Sequence, residues 1–143
     1  MIVALDVTHT VVEDVPVASA AACGVAQDDR PLVGPAGRLD WRMCGLLSRT
    51  VQSERYEGRL GEDMVVSTGG RLAYGMVMLV GLGRGDDMDP SMARQVAART
   101  GTVVVRAGLE SVTLAVWDLT RERIEFDEGL AALLNGCARA VDK

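Results

Sequence analysis

The fold is decided by residues 76–90, which read MVMLVGLGRGDDMDP. The first part, Met76–Leu82, is a continuous apolar run of strand length, which is typical of a central strand covered on both faces. Glycines follow, and then Asp89 and Pro90, a pair suited to the N-cap and the first position of a helix. The stretch therefore predicts a strand, a tight turn and a helix.

Three further strands are expected upstream of this stretch. They are Ile2–Val7, with an extension over Thr10–Val12 left open, Val17–Val25, and Met64–Thr68. The alanines of Val17–Val25 suit a helix equally well by propensity, but the run is apolar throughout and favours a buried strand.

The sequence between these strands predicts one helix. Apolar residues recur at helical spacing over about 39–53, after a breaker cluster at Gly34–Gly37. We expect Asp40 near the start of this helix, where a carboxylate favours the exposed N–H groups, and Arg49 near its end.

Downstream, the helix that begins at Pro90 has an ambiguous end. An apolar stripe carries it to about Ala107, with Gly108 as the terminating residue. The β-branched run Thr102–Val105 fits a strand as well; we take the helix and leave the strand for residues 102–106 open. Val112–Trp117 then predicts a strand, residues 121–123 a solvated connector, and Phe126–Val141 an amphipathic helix.

This order of elements predicts an α/β fold. Strands alternate with helices, so we expect a three-layer sandwich with a mixed β-sheet and helices on both faces, built as a single domain over residues 1–143. Only 3% of the residues are aromatic, so the core must consist of aliphatic and methionine side chains.

Composition excludes several classes of partner and site. A formal charge of −5 disfavours nucleic acid, which repels an acidic domain at long range. Cys23, Cys44 and Cys137 are odd in number and form no C-x-x-C pair, so we expect small buried side chains in a reducing compartment. We see neither a signal peptide nor the roughly 20 apolar residues of a membrane helix, and we expect a cytoplasmic protein with no membrane partner.

The glycine turn within residues 76–90 has two interpretations. Gly81, Gly83, Arg84 and Gly85 precede a helix, and such a turn can bind phosphate through its N–H groups. The dinucleotide pattern G-x-G-x-x-G fails, however, because Asp86 stands where its third glycine would be, and more acidic residues follow. A strand-to-helix turn with its own acidic capping is the simpler interpretation.

No other residue predicts a catalytic or metal site. His9 is the only histidine, and it has no identifiable partner. We expect Trp41 and Trp117 to pack in the core or at its edge. A cluster of carboxylates could gather a hard cation but lacks the spacing of a calcium loop, so a solvated acidic turn is favoured; its members are Asp86, Asp87 and Asp89.

Several motifs, in order, resemble one known family. They are Leu39-Asp40, Cys44-Gly45, Glu54, the loop Tyr56–Glu62 (YEGRLGE), the strand Val77–Gly83 (VMLVGLG), and the Glu128-Gly129-Leu130 helix opening. Together they are similar to the N-terminal domain of the cytosol (leucyl) aminopeptidases. The resemblance covers about residues 31–141 and implies a macro-domain-like fold.

The same resemblance sets expectations for function. In the family, a separate catalytic domain holds two metal ions through Asp, Glu and Lys side chains and carries an Asn-Thr-Asp-Ala-Glu-Gly-Arg motif. This sequence has no such motif, so no catalytic residue, metal ligand or cofactor carries over. The family's N-terminal domain packs outside the catalytic core and contributes to hexamer architecture and regulation.

We therefore expect a non-catalytic interaction, assembly or regulatory module. Its partner would be a second copy of the chain, as in a homo-oligomer, or a separate protein chain. The alternative is a macro-domain-like protein that binds ADP-ribose or a nucleotide at Gly81, Gly83, Arg84 and Gly85.

Overall fold

The computed structural model describes residues 18–141, in which the chain forms one mixed sheet with helices packed on both faces. Its elements are β1 (Ala20–Val25), α1 (Gly34–Arg42), α2 (Leu46–Ser53), β2 (Asp63–Ser67), β3 (Met76–Gly81), α3 (Pro90–Arg106), β4 (Val112–Leu114), α4 (Val116–Thr120) and α5 (Phe126–Val141). A single 3₁₀ turn, Gly85–Asp87, lies between β3 and α3. The predicted strand Ile2–Val7 and His9 lie outside the described residues.

The sheet has the strand order β2-β3-β1-β4. The central strand β1 runs parallel to both neighbours, with Ala20 opposite Met76 on β3 and opposite Val112 on β4. Strand β2 runs antiparallel to β3 and places Met64 opposite Leu79. The expected mixed sheet is thus confirmed, with β3, β1 and β4 parallel and β2 antiparallel at one end of the described order.

The two central strands supply a core to each face of the sheet. Because successive side chains of a strand point to opposite faces, the apolar runs of β1 and β3 divide between two clusters. Cys23, Val77 and Leu79 pack with α1 and α2, whereas Ala22 and Met78 pack with α3 and α5. All six residues of β1 are buried, so burial on both faces overrides the helix propensity of its alanines. The three-layer sandwich is confirmed.

The helix predicted over 39–53 is two helices, so that prediction was wrong. Helix α1 begins at Gly34, because Pro35 fits the first turn of a helix, where its missing N–H costs no hydrogen bond. The chain then breaks at Cys44 and Gly45, whose φ angles of 55° and 82° are left-handed. Cys44 is exposed there and not buried as expected.

The predicted capping of that helix changes accordingly. Asp40 lies in the last turn of α1, and its carboxylate accepts the backbone N–H of Ser48 at 3.1 Å and the Ser48 hydroxyl. Ser48 lies in the first turn of α2, so Asp40 caps the following helix instead of its own. Arg49 also reaches back, donating to the carbonyl of Cys44 at 2.7 Å.

Helix α3 resolves the ambiguity at residues 102–106 in favour of the helix. Its start is as predicted, since the Asp89 carboxylate accepts the N–H of Met92 at 2.8 Å and Pro90 follows. Its end is also as predicted, with Gly108 just beyond the helix at a φ of 69°. The β-branched run is helical because its side chains pack against the second core.

The strand predicted over Val112–Trp117 is shorter than expected. Strand β4 ends at Leu114, and α4 begins at Val116. Trp117 consequently lies on a short helix, with 47% of its surface exposed. Helix α5 matches its predicted bounds and ends the described chain. No helix within residues 18–141 combines the length and the apolar character that crossing a membrane requires.

Candidate functional site at the carboxyl edge of the sheet

The candidate site is the edge of the sheet at which the parallel strands β1 and β3 end. After β1 the chain passes to α1 on one face, and after β3 it passes to α3 on the other. Diverging connections of this kind leave a crevice outside the carboxyl ends of the strands, where α/β proteins commonly bind ligands. The predicted glycine turn lies at this position.

The N–H groups of the three predicted glycines are hydrogen-bonded within the chain. Gly81 donates to the carbonyl of Glu62 at 3.0 Å, and Gly83 donates to the carbonyl of Gly58 at 2.8 Å. Gly85 donates to a side chain, the Asp28 carboxylate, at 2.8 Å. A phosphate at this turn would have to take over donors that already have acceptors.

Asp28 occupies the position in which an anionic ligand would meet the turn. Its hydrogen bond from the Gly85 N–H holds the pKa of the Asp28 carboxyl below its ordinary value. Arg84, also predicted to contact a ligand, is exposed and lies 3.7 Å from Asp87. The structure brings the four predicted residues together, and places the chain's own carboxylates beside them.

The loop Tyr56–Glu62 braces the same edge. The Glu62 carboxylate accepts the N–H of Gly58 at 2.9 Å as well as that of Glu57, which holds the pKa of the Glu62 carboxyl below its ordinary value. Gly58 has a φ of 87°, and a Cβ there would lie 2.8 Å from the carbonyl oxygen of Val25. Gly58 and Glu62 therefore hold this loop against the ends of β1 and β3.

Tyr56, the first residue of this loop, has a buried side chain. Only 6% of its surface is exposed, and its hydroxyl has no hydrogen-bond partner among the described residues. Burial raises the pKa of that hydroxyl, so it stays protonated. Its carbonyl accepts from Arg30 at 3.2 Å, which ties the loop to the connection after β1.

A second cluster at the edge joins β1 to α4. Asp118, 2% exposed, accepts the N–H of Gly24 at 2.9 Å. Arg121 lies 4.0 Å from Asp118 and donates to the Asp29 carboxylate at 2.7 Å. Asp29 in turn accepts the N–H of Ala26 at 3.0 Å.

This Asp118–Arg121–Asp29 cluster was not predicted from the sequence. Residues 121–123 were predicted to be a solvated connector, which is wrong for Arg121, whose side chain is only 21% exposed. The one local signal was a carboxylate, Asp118, within an otherwise apolar segment. Burial raises the pKa of Asp118 to about 6, while the Gly24 N–H and Arg121 act in the opposite direction.

The acidic side chains after the glycine turn do not converge on a common point. Asp89 caps α3, and Asp87 pairs with Arg84, both at the surface. Across residues 18–141, no three His, Cys, Asp or Glu side chains are grouped closely enough to hold a metal ion.

A different surface begins where α1 starts. We call it the Trp41 surface; it is a shallow groove lined by Leu32, Val33, Gly34, Gly37, Arg38, Trp41 and Arg42. Trp41 is 85% exposed, so the expectation of core or edge packing was wrong. The surface adjoins the candidate edge, because a Cβ at Gly34 would lie 3.2 Å from Asp118.

Comparison with known proteins identifies relatives of this sequence. The model of the cytosol aminopeptidase family, N-terminal domain, matches residues 15–142. A protein of Rippkaea orientalis named "Probable cytosol aminopeptidase" is 30% identical over 93 residues, which are 65% of this chain and 18% of that one. A protein of the same name from Alkaliphilus oremlandii is 29% identical over 119 residues, 83% of this chain and 22% of that one. The chain thus spans about a fifth of the length of these relatives.

Solved structures agree on the fold. A mutant of tomato leucine aminopeptidase superposes with a TM-score of 0.66 at 18% identity, over 93% of this chain and 27% of that one. The macrodomain of Mycobacterium tuberculosis DarG superposes with a TM-score of 0.70 at 12% identity, over 92% and 88%. The fold is therefore macro-domain-like, as predicted. Sequence and structure together show that the chain belongs to the cytosol aminopeptidase family, as its N-terminal domain.

Proposed function

We propose that this domain is a non-catalytic assembly module, which works by self-association or by binding another protein chain. The observation that carries the proposal is the exposure of Trp41. Burying a tryptophan side chain removes enough apolar area from water to contribute on the order of 4 kcal/mol. Because tryptophan and arginine are the commonest anchors of protein interfaces, Trp41 between Arg38 and Arg42 fits a docking surface.

The candidate edge supports the same conclusion. Its three glycine N–H groups already have acceptors, and one of these is the Asp28 carboxylate. We propose that this domain has no peptidase activity by itself and that it acts in the cytoplasm, the compartment in the names of its relatives.

The test compares Trp41→Ser with Phe126→Ser. Phe126 is also an exposed aromatic, but it lies at the start of α5, on the other side of the sheet. We expect the wild type and Phe126→Ser to associate with rising concentration in sedimentation velocity, or to retain the same partner in a pull-down. We expect Trp41→Ser to do neither. A wild type that is monomeric at every concentration and retains no partner would contradict the proposal.

A second candidate function is the binding of ADP-ribose or a nucleotide at Gly81, Gly83, Arg84 and Gly85. Its support is the likeness to the DarG macrodomain, which is a likeness of fold alone. Such a ligand would have to displace Asp28 from Gly85. Calorimetry with ADP-ribose on the wild type and on Asp28→Ala separates the two functions. Heat that increases in Asp28→Ala would favour the small-molecule site, and its absence at millimolar ligand in both proteins would eliminate that site.

A further inference from the structure

The opposite side of the sheet carries a second groove, between α3 and α5, which we call the α3–α5 groove. Its floor is apolar and includes Ala98 and Ala132, and its rims carry Arg94, Arg99, Asn135 and Arg139. The groove encloses about 560 Å³. It faces away from the Trp41 surface, because α1 and α3 pack on different faces of the sheet.

The two helices run parallel, which fixes the spacing of the groove's charges. Arg94 on α3 meets Glu128 on α5, and Thr102 meets Gly136; both pairs are 34 positions apart. By this register Arg139 is level with residue 105, which is 11 positions along α3 from Arg94. At 1.5 Å per residue, the backbone positions of the two arginines are roughly 16 Å apart along the helix axes.

The charge of the groove is opposite to that of the chain. The whole chain carries −5, yet α3 contains three arginines and no carboxylate. On α5 the acidic residues are confined to the first turn, and Arg139 lies in the last. Three arginines line the groove, and two of them face carboxylates of this domain, Arg94 facing Glu128 and Arg99 facing Asp63. The groove therefore has one positive charge in excess, at Arg139, on a domain that is acidic as a whole.

The three arginines of the rim differ in how firmly they are engaged. Arg99 is fixed by two hydrogen bonds to the Asp63 carboxylate, at 2.8 and 2.6 Å. Arg94 makes one contact with Glu128 at 2.7 Å, and both side chains are nearly half exposed, so this pair contributes little stability and exchanges readily. Arg139 has no ion pair or hydrogen bond to any residue from 18 to 141.

We propose that the α3–α5 groove binds an acidic segment of a partner protein. Carboxylates of the segment pair with Arg139 at one end and with Arg94 at the other, and small side chains between them pack on Ala98 and Ala132. A separation of roughly 16 Å between the two backbone positions matches about three turns of helix or about five extended residues. Carboxylate groups are the partners that Arg94 and Arg99 already select within this domain.

The experiment uses a fluorescent glutamate-rich peptide about three helical turns long, with a glutamine-rich peptide of the same length as its control. Arg139→Glu and Arg94→Glu are compared with Arg71→Glu, an exposed arginine in the turn between β2 and β3. We expect the wild type and Arg71→Glu to bind the acidic peptide and not the glutamine-rich one. We expect Arg139→Glu and Arg94→Glu each to weaken binding of the acidic peptide about tenfold, since each replaces a charge-assisted pair with repulsion. Circular dichroism checks that each variant is folded, and Arg139→Gln replaces Arg139→Glu if it is not.

Three outcomes would overturn the proposal. The first is no binding of the acidic peptide by the wild type at millimolar concentration. The second is an equal loss of affinity in Arg71→Glu and Arg139→Glu, which would make the attraction a general charge effect. The third is displacement of the peptide by inorganic phosphate at a concentration that supplies the same negative charge as the peptide, which would make the groove a site for small anions.

Discussion

The two helical layers of this domain are held together in different ways. On one side, α3 and α5 touch backbone to backbone: a Cβ at Gly136 would lie 1.8 Å from the carbonyl oxygen of Ala98, and one at Gly101 would lie 2.0 Å from that of Leu133. On the other side, α1 and α2 are short, meet at a left-handed break, and are joined across it by the Asp40 side chain.

This difference bears on the two proposed surfaces. The α3–α5 groove lies on a pair of helices whose spacing is fixed by glycine contacts, so the backbone positions that carry its arginines keep a constant separation. The Trp41 surface lies on α1, which adjusts more easily because its junction with α2 depends on side-chain hydrogen bonds. We infer that the first surface selects a partner by the spacing of its charges, and the second by burial of a tryptophan.

Gly136→Ala gives the largest expected effect, because it attacks the backbone contact directly. The new methyl group cannot fit beside Ala98 without moving α5. We expect the free energy of unfolding to fall by about 2–4 kcal/mol, although alanine is the better helix former by up to about 1 kcal/mol. Urea denaturation measures the change.

The control for this variant is Gly70→Ala in the turn between β2 and β3. A Cβ there meets nothing within 4 Å, but φ is 80°, so only the cost of a left-handed alanine is expected, about 1 kcal/mol. Equal losses in the two variants would mean that α3 and α5 are not held by close contact, and the comparison of the layers would fail.

The layer held by backbone contact is also the one that the sequence predicted best. Helices α3 and α5 are long, and their apolar stripes, the Asp89 cap and Gly108 are local signals that a sequence displays. The layer of α1 and α2 was mispredicted as one helix. Its break lies at Cys44 and Gly45, which both adopt a positive φ. Gly45 was a local signal for such a break, but the positive φ of Cys44 was not predictable, because a non-glycine residue rarely adopts it.

The candidate site was predicted only in part, for a related reason. The glycine turn is contiguous in sequence, so its four residues were found together at the edge. The acceptor of the Gly85 N–H comes from elsewhere, because Asp28 is 57 positions away. The second cluster at the edge is likewise formed by distant residues, since Asp29 is 92 positions from Arg121. A pairing across such distances is set by the order of the strands in the sheet, and no single segment of the sequence predicts that order.

Asp118 provides a test of the junction between the two layers, since it lies on α4, accepts a hydrogen bond from β1 and lies beside the start of α1. Burial raises its pKa from 3.8 to about 6, so the folded state binds this proton more tightly than the unfolded state does. Its contribution to stability is therefore complete below pH 3.8 and decreases as the pH rises to about 6. Between pH 5 and pH 7.5 we expect the free energy of unfolding contributed by this group to fall by about 1 kcal/mol.

Asp118→Asn removes the titration and keeps an oxygen for the Gly24 N–H. We expect its free energy of unfolding, relative to that of the wild type, to rise by about 1 kcal/mol between pH 5 and pH 7.5. The lowered pKa values of Asp28 and Glu62 act at lower pH, because both carboxyls are already ionised throughout this window. If the stability difference between the Asn variant and the wild type is independent of pH, Asp118 is not titrating in the folded protein.

Asp40→Ala is expected to have the smallest effect, and it tests the side-chain connection on the other layer. The substitution removes both acceptors of Ser48 but leaves the backbone hydrogen bond from the Gly45 N–H to the Asp40 carbonyl, at 2.9 Å. The loss of such a cap costs about 1 kcal/mol. Asp40→Asn, which keeps an acceptor for the Ser48 N–H, should cost less than half of this. A double-mutant cycle with Ser48→Ala isolates the pair, and we expect the two single losses not to add. If they do add, α1 and α2 are joined by something other than this pair, and the orientation of Trp41 would not depend on it.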